Sequence, residues 1–418
     1  MRAIAIVDGE HYAAVVRHAL VELPYDFAAA VLIGGQEKLR GGEEYGVPLA
    51  ADVESAIASY APDVVVDLSD EPVLGPPERL ALASRVLAHG VPYVGADFRF
   101  DPPSRAPFAM PSIAVVGTGK RVGKTAVTGH LARLLSADHD VVVVAMGRGG
   151  PPDPEVITIT PTVEALVELS RSGRHAASDH LETAALVGVA TVGCRRCGGG
   201  LAGAVATSNV AEGARIAAAL EPDLVVFDGS GAAFPPIATD RTVVVVGVHQ
   251  DPAVATGYFN AYRLRVADLV VVTMAEREVE TERTRERVAA IVRPAVPVVA
   301  TTLYPRPLAD ICDRTVAYFS AAPPEALGRL GEHLENAFGA RIVHVSGSLV
   351  NRTALRSELG TVSAEVYLVE LKAAAIDVVA EAAIANGAQI VLAANDVAAI
   401  PGEPDLDEEL LRMAKFQT

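Results

Sequence analysis

A short β-branched run, Ser112-Ile113-Ala114-Val115-Val116, leads directly into Gly117-Thr118-Gly119-Lys120-Arg121-Val122-Gly123-Lys124-Thr125, and a helix-like stretch from Ala126 to Leu135 follows. A strand, a glycine-rich turn, Gly-Lys-Thr and a helix form the context of a phosphate-binding P-loop. Backbone N–H groups from Gly119 to Lys124 can converge on one anion, and the helix N-terminus adds positive partial charge. ATP is therefore expected on Gly117, Thr118, Gly119, Lys120, Arg121, Val122, Gly123, Lys124, Thr125 and Ala126. Lys124 would reach the β- and γ-phosphates, and the Thr125 hydroxyl would sit on Mg²⁺.

Thr118 stands where the first glycine of the usual spacing falls, with Gly117 one residue earlier. That G-T-x-x-x-V-G-K-T pattern resembles the dethiobiotin synthetase type of loop. A length of 418 residues predicts two or three domains, and a hydrophobic content of 50% against 21% charged residues supplies material for buried sheets. The net charge of −17 argues against a nucleic-acid partner, whose phosphates an acidic surface repels. No apolar stretch reaches the ~18 residues of a membrane helix. Met1 to Asp8 reads as a strand rather than a signal peptide, and three cysteines do not make a disulfide framework. A cytoplasmic protein without a membrane partner is expected.

Up to about residue 100, strands expected at Ala3–Val7, Ala28–Ile33, Val64–Leu68 and Pro92–Val94 alternate with helices at His11–Leu23, Asp52–Ser59 and Pro77–His89. Such alternation predicts a parallel sheet with helices on both faces, here a Rossmann-like N-terminal α/β domain over 1–105. Phe98 to Pro111, with four prolines, reads as a linker. A P-loop nucleotide-binding core follows over 106–304, with further strands at Asp140–Ala145, Leu224–Phe227, Thr242–Val248 and Leu269–Thr273, and with Val296–Thr301 expected to close the sheet. A smaller C-terminal α/β unit over 305–418 carries strands near Arg341–Val345, Val366–Leu371 and Gln389–Ala393. The charge run Glu276–Arg287 is expected to be a solvated helix face.

Chemistry is expected where these strands end. Leu224 to Asp228 is an apolar strand closed by an acid and then Gly229-Ser230-Gly231, the position of a carboxylate linked to Mg²⁺ directly or through water. Asp228 and Thr125 are thus the expected metal residues. Val141 to Gly147 ends in Arg148, a candidate bidentate phosphate clamp. Cys194-Arg195-Arg196-Cys197 among glycines reads as an anion-binding loop; zinc would need two further ligands, and a redox dithiol lacks its usual surroundings. Lys120 and Arg121 add charge beside the phosphate cradle and, with Lys124 and Asp228, are the candidate catalytic residues. His11 and Lys372, each near the end of a strand, are candidate substrate ligands, and each equally fits the first turn of a helix.

Val7-Asp8-Gly9-Glu10-His11-Tyr12, the loop Gly117–Thr125, Met146-Gly147-Arg148-Gly149-Gly150-Pro151, Phe227-Asp228-Gly229-Ser230-Gly231 and Glu370-Leu371-Lys372-Ala373-Ala374-Ala375 together resemble the cyclic 2,3-diphosphoglycerate synthetase family over nearly the whole chain. The resemblance implies an ATP- and Mg²⁺-dependent ligase that closes 2,3-diphosphoglycerate into a cyclic pyrophosphate, with ADP and phosphate released, and it supports a homodimer. A substrate with two phosphates and a carboxylate needs several cations at one crevice, for which Arg148, Arg195, Arg196, Lys120 and Lys372 are the candidates. Two other readings stand beside it. One is a P-loop kinase or ligase acting on another small anionic acid. The other is a P-loop metallochaperone or regulatory switch, which would use Cys194 and Cys197 as metal ligands.

Overall fold

A computed structural model describes residues 1–35, 41–71, 73–372 and 375–416. Two sheets organise the chain. In the first, strands run in the spatial order Leu49–Ala50, Asp26–Leu32, Arg2–Val7, Val64–Asp67, Tyr93–Val94 and Arg99–Phe100. The first five pair in parallel and the last is antiparallel. The direction of strand succession reverses between Arg2–Val7 and its neighbour Val64–Asp67, which opens a crevice at their C-terminal ends. The stretch expected to be a linker therefore contributes an edge strand, because Arg99 and Phe100 pair back onto Val94 and Tyr93.

The second sheet carries the P-loop. Its central strands are valine runs, Val141–Gly147, Leu224–Asp228, Ser112–Gly117, Arg241–Gly247 and Leu269–Thr273, lying side by side in that order. Almost every residue in them is buried, as expected of parallel strands covered on both faces by helices. Beyond Val141–Gly147 lies Ala190–Cys197, paired in parallel through Ala190 to Arg195. The segment expected to be a Cys-Arg-Arg-Cys loop is thus the end of a strand. Its inner residues Thr191, Val192 and Cys194 are fully buried, while the arginines emerge at its tip.

Val298–Pro307 does not close this sheet, contrary to expectation. Its first residues pair with Leu269–Thr273 in parallel. From Thr301 to Pro307 it pairs antiparallel with Gln389–Ala399, which carries on into Val366–Glu370, Thr315–Phe319 and Arg341–Ser346. The boundary expected between residues 304 and 305 falls inside this shared strand. One sheet therefore carries both the P-loop strands and the C-terminal strands.

The helix Leu406–Met413, capped by Asp405, buries Leu406, Leu410 and Met413 in the same apolar cluster as Val127 and Leu131 of the P-loop helix. The N-terminal sheet docks through its helix Pro76–Ala88, whose Leu82 and Val86 share a core with Phe259 and Tyr262. Ser84 Oγ adds a hydrogen bond to the Tyr258 carbonyl at 2.8 Å. The charge run forms the helix Glu278–Ala289, which buries only Thr281, Thr284 and Val288. Among the described residues no helix is long and apolar enough to cross a membrane.

Candidate functional site

The loop between strand Ser112–Gly117 and helix Lys124–Leu135 is held from three sides. Gly117 N–H donates to the Gly231 carbonyl at 3.0 Å, and Thr118 N–H to the Val245 carbonyl at 2.9 Å. Thr273 Oγ1 donates to the Val122 carbonyl at 2.8 Å, and Asn260 Nδ2 to the Thr118 carbonyl at 3.0 Å. Gln250 reaches in from the turn after Arg241–Gly247, its Oε1 accepting from Thr118 Oγ1 at 2.6 Å. A Cβ at Gly119 would lie 2.7 Å from Gln250 Nε2, so a larger residue there would push the end of this brace aside. Gly123 opens the helix at φ +76°, a conformation glycine adopts without strain.

These contacts occupy the carbonyls and leave the amides free. Among the described residues, no backbone N–H from Gly119 to Ala126 has an acceptor in the protein. A run of convergent donors at a helix N-terminus is what a polyphosphate needs. Arg121 sits at φ +60°, a strained conformation for a non-glycine residue, and its side chain and that of Lys120 are exposed with no side-chain partner. Beside it, burial and then the Arg121 charge hold the His249 imidazole below its ordinary pKa.

Lys124 and Asp228, expected at one site, are in contact: the ammonium donates to Asp228 Oδ1. The same oxygen accepts from Thr128 Oγ1 at 2.7 Å, and Asp228 is 1% exposed. Among the described residues the Thr125 hydroxyl has no hydrogen-bond partner, and it lies one residue after Lys124. One carboxylate and one hydroxyl are oxygen donors suited to Mg²⁺, which keeps several waters and takes its remaining ligands from substrate phosphates. The residues present fit that ion.

At the ends of the two strands next beyond Leu224–Asp228, Arg148, Arg195 and Arg196 line one cavity of about 340 Å³ with Cys197, Thr207, Ser208 and Asn209. The register places Arg195 opposite Gly147, so the three arginines emerge from the C-terminal ends of adjacent strands. Arg148 and Arg195 are exposed, without a side-chain partner among the described residues. Arg196 donates to the carbonyls of Gly198 at 3.0 Å and Ser230 at 3.1 Å, while its Nε is buried without an acceptor. Burial and the neighbouring Arg148 charge pull its guanidinium below the ordinary pKa. Like charges held this close favour an anion between them. Ser230 lies in the turn after Asp228, and Gly231 of that turn holds the P-loop, so the arginine cavity and the phosphate loop share one short segment.

Asn209 clips this cavity together. Its Oδ1 accepts from Arg195 N–H at 2.7 Å, and its Nδ2 donates to the Pro151 and Pro152 carbonyls at 3.3 and 3.1 Å. Nothing in the local sequence marks Asn209 or Thr128 for these tasks; each acts on a partner distant in the chain.

The other two expected substrate ligands do not line this cavity. His11 Nδ1 is 2.8 Å from Asp8 Oδ1 and its Nε2 is 3.5 Å from Asp70, in the crevice of the N-terminal sheet. Asp8 is buried, which would raise its pKa, yet N–H donors from Asp70 and His11 and the imidazole hold it below the ordinary value. Lys372 follows strand Val366–Glu370 and forms an ion pair with Glu182 of helix Asp179–Val187. Its neighbours Ala373 and Ala374 lie outside the described residues. Cys194 is packed under Gly213, and burial pushes its thiol up to about 12, whereas Cys197 is exposed at the cavity. A spacing of three along a strand puts the two thiols on opposite faces, so they do not converge on one ion.

Known proteins resemble this chain along nearly its whole length. Residues 2–101, 112–302 and 307–396 match the models of the N-terminal, P-loop and C-terminal domains of cyclic 2,3-diphosphoglycerate synthetase. Proteins of that name from Rubrobacter xylanophilus and Thermococcus gammatolerans are 48% and 45% identical, each over 99% of this chain and 97% of theirs. The one from Methanothermus fervidus is 39% identical over 94% of this chain and 92% of its own.

Proposed function

The chain belongs to the cyclic 2,3-diphosphoglycerate synthetase family, and on that premise we propose how its residues divide the work of an ATP-dependent ring closure. The reaction joins the two phosphates of 2,3-diphosphoglycerate in an intramolecular anhydride at the expense of ATP, which leaves as ADP and phosphate. The γ-phosphoryl group passes to one substrate phosphate, breaking its bond to the β-phosphate oxygen. The second substrate phosphate then attacks the activated one, and inorganic phosphate leaves. Both nucleophiles are already anionic, so the residues need to position and neutralise rather than to remove protons.

The amides of Gly119 to Ala126 cradle the ATP phosphates, and Lys124 turns from Asp228 to the β- and γ-phosphates as they arrive. Mg²⁺ on Thr125 and Asp228 would neutralise charge on the transferring phosphoryl group. Lys120 and Arg121, exposed at the loop, cover that group from the solvent side. Arg148, Arg195 and Arg196 hold the substrate phosphates. Arg196 exchanges the Ser230 carbonyl for a phosphate oxygen, which gives its buried Nε an acceptor. Lys372 and His11 would join the substrate only by leaving Glu182 and Asp8. The cavity of three arginines beside the P-loop, in a chain of net charge −17, is the observation that carries this assignment. We further propose a homodimer working in the cytoplasm, in keeping with three unpaired cysteines.

Incubation with Mg²⁺, ATP and 2,3-diphosphoglycerate, followed by ³¹P NMR, tests the reaction. A new pyrophosphate-type signal with ADP and phosphate is expected, and ATP bound without any new phosphorus species would refute it. Arg148→Ala should raise the KM for 2,3-diphosphoglycerate at least tenfold and leave that for ATP unchanged. An unaltered substrate KM would remove Arg148 from the site.

A further inference from the structure

Arg263 is 3% exposed, on the helix Asn260–Arg265 behind the P-loop, and forms no ion pair with any carboxylate among the described residues. Its guanidinium is held by oxygens of the chain instead. Nε donates to the Ala232 carbonyl at 2.7 Å, and Nη2 to the Leu201 carbonyl at 3.1 Å. Nη1 donates to the Phe259 carbonyl at 2.8 Å and to Asn260 Oδ1 at 3.2 Å. Burial lowers its pKa to about 10, which leaves it charged at neutral pH. A buried charge without a counter-charge is costly, and here four oxygens of the chain are all the hydrogen-bond acceptors that offset it among the described residues.

The segments it grips are those that build the site. Ala232 belongs to the turn after Asp228, whose Ser230 carbonyl is held by Arg196 and whose Gly231 carbonyl accepts from Gly117 of the P-loop. Leu201 lies in the loop that follows Arg195 and Arg196, and Phe234 N–H fastens that loop to the turn through the Gly203 carbonyl at 2.9 Å. Asn260, bound to Nη1, donates onward to the Thr118 carbonyl of the P-loop. A Cβ at Gly203 would lie 3.1 Å from Nη2 and 2.9 Å from the Ala232 carbonyl, so the three parts meet without spare room. One planar fork thus spans the arginine loop, the Asp228 turn and the helix that braces the P-loop, which a lysine's single ammonium cannot do.

We infer that Arg263 is a positioning residue for the phosphorylated ligands: it fixes the spacing between the arginine cavity and the P-loop and lends the site a buried positive charge. This rests on the assignment of the arginine cavity to the substrate. The anionic ligands supply the counter-charge that the fold withholds. A displacement of about 1 Å between reacting groups costs about 10²-fold in rate, which sets the size of the effect.

Arg263→Lys and Arg263→Met in the full chain, assayed beside the parent enzyme, test it. Parent turnover of 2,3-diphosphoglycerate, and its loss of substrate affinity in Arg148→Ala, check the cavity assignment independently of Arg263. With that in hand, kcat/KM for 2,3-diphosphoglycerate should fall about 10²-fold in the methionine variant and less in the lysine variant, with KM rising in both. Binding of a fluorescent ATP analogue should weaken less than substrate binding. Should neither variant fold, Phe234→Leu loosens the ring 5.9 Å from the guanidinium while sparing its donors, and a smaller rise in the same KM is expected. Folded variants with parental KM and kcat, or a Phe234→Leu enzyme of parental KM when the others do not fold, would overturn the inference.

Discussion

Lys124→Met keeps the length and apolar bulk of the side chain and removes its ammonium. Asp228, whose side chain is 2% exposed, is then left with Thr128 Oγ1 at 2.7 Å as its one side-chain donor among the described residues. Stranding one member of a buried ion pair costs about 3–5 kcal/mol, and the surviving Thr128 hydrogen bond puts this pair at the lower limit, about 3 kcal/mol. Adding Asp228→Asn discharges the stranded group but keeps an acceptor for Thr128, and should restore about 2 kcal/mol of that loss, a coupling of the size found between contacting residues. Urea unfolding of the nucleotide-free proteins, followed by far-UV circular dichroism, should therefore order the midpoints as parent, double variant, single variant. Turnover should not follow that order. Both variants lack the phosphate-facing ammonium, and loss of one such donor lowers kcat by about 10²–10³-fold. Stability rescued without activity would separate the two duties of Lys124. A double variant no more stable than the single one would refute the view that this ion pair holds the empty P-loop together.

The His249 imidazole is held below its ordinary value of 6.5 by burial first and by Arg121 second. Arg121→Ala should move its NMR titration upward but short of 6.5, since the larger cause remains; a downward or absent shift would place the two side chains apart. Glu182 is raised above 4.5 by burial, and the Lys372 ammonium works against that rise. In Lys372→Met its folded-state pKa climbs further, so stability is lost as pH rises from 4.5 through that folded-state value. The deficit against the parent should be larger at pH 7 than at pH 5 in thermal unfolding, and a pH-independent deficit would mean that the pair carries no charge.

The phosphate loop was the most legible part of this chain because every residue of it is contiguous, and strand, turn and helix can be read from local pattern alone. The valine runs of the central strands are legible for the same reason, being buried on both faces. Ala190–Cys197 was not, since its polar, glycine-flanked tip resembles a loop and its pairing is decided by neighbours elsewhere in the chain. Thr315–Phe319 is five residues, four of them buried, without a helical or a clean strand period, too short to identify by pattern. The arginines announce an anion, but the cavity that gathers them depends on the pairing of strands far apart in sequence. Arg263 stands among apolar and aromatic residues like any helix-face arginine, and only the packed loops around it reveal its task.

The strand shared by the two halves of the large sheet also bears on how the protein is made. Val298–Pro307 waits for Gln389–Ala399, a partner that leaves the ribosome only after several other elements have been synthesised. Until then its stretch from Thr301 to Pro307 is an open edge on a sheet of valine strands, the kind of surface at which nascent chains pair wrongly. The P-loop helix waits longer still, for Leu406, Leu410 and Met413 to cover its apolar face. A nascent chain that has emerged as far as residue 304 holds the whole phosphate-binding sequence yet lacks the layer that shelters it. The topology therefore predicts that the nucleotide site matures late in translation, and that slow elongation across the C-terminal third would lengthen the interval in which a chaperone has something to hold.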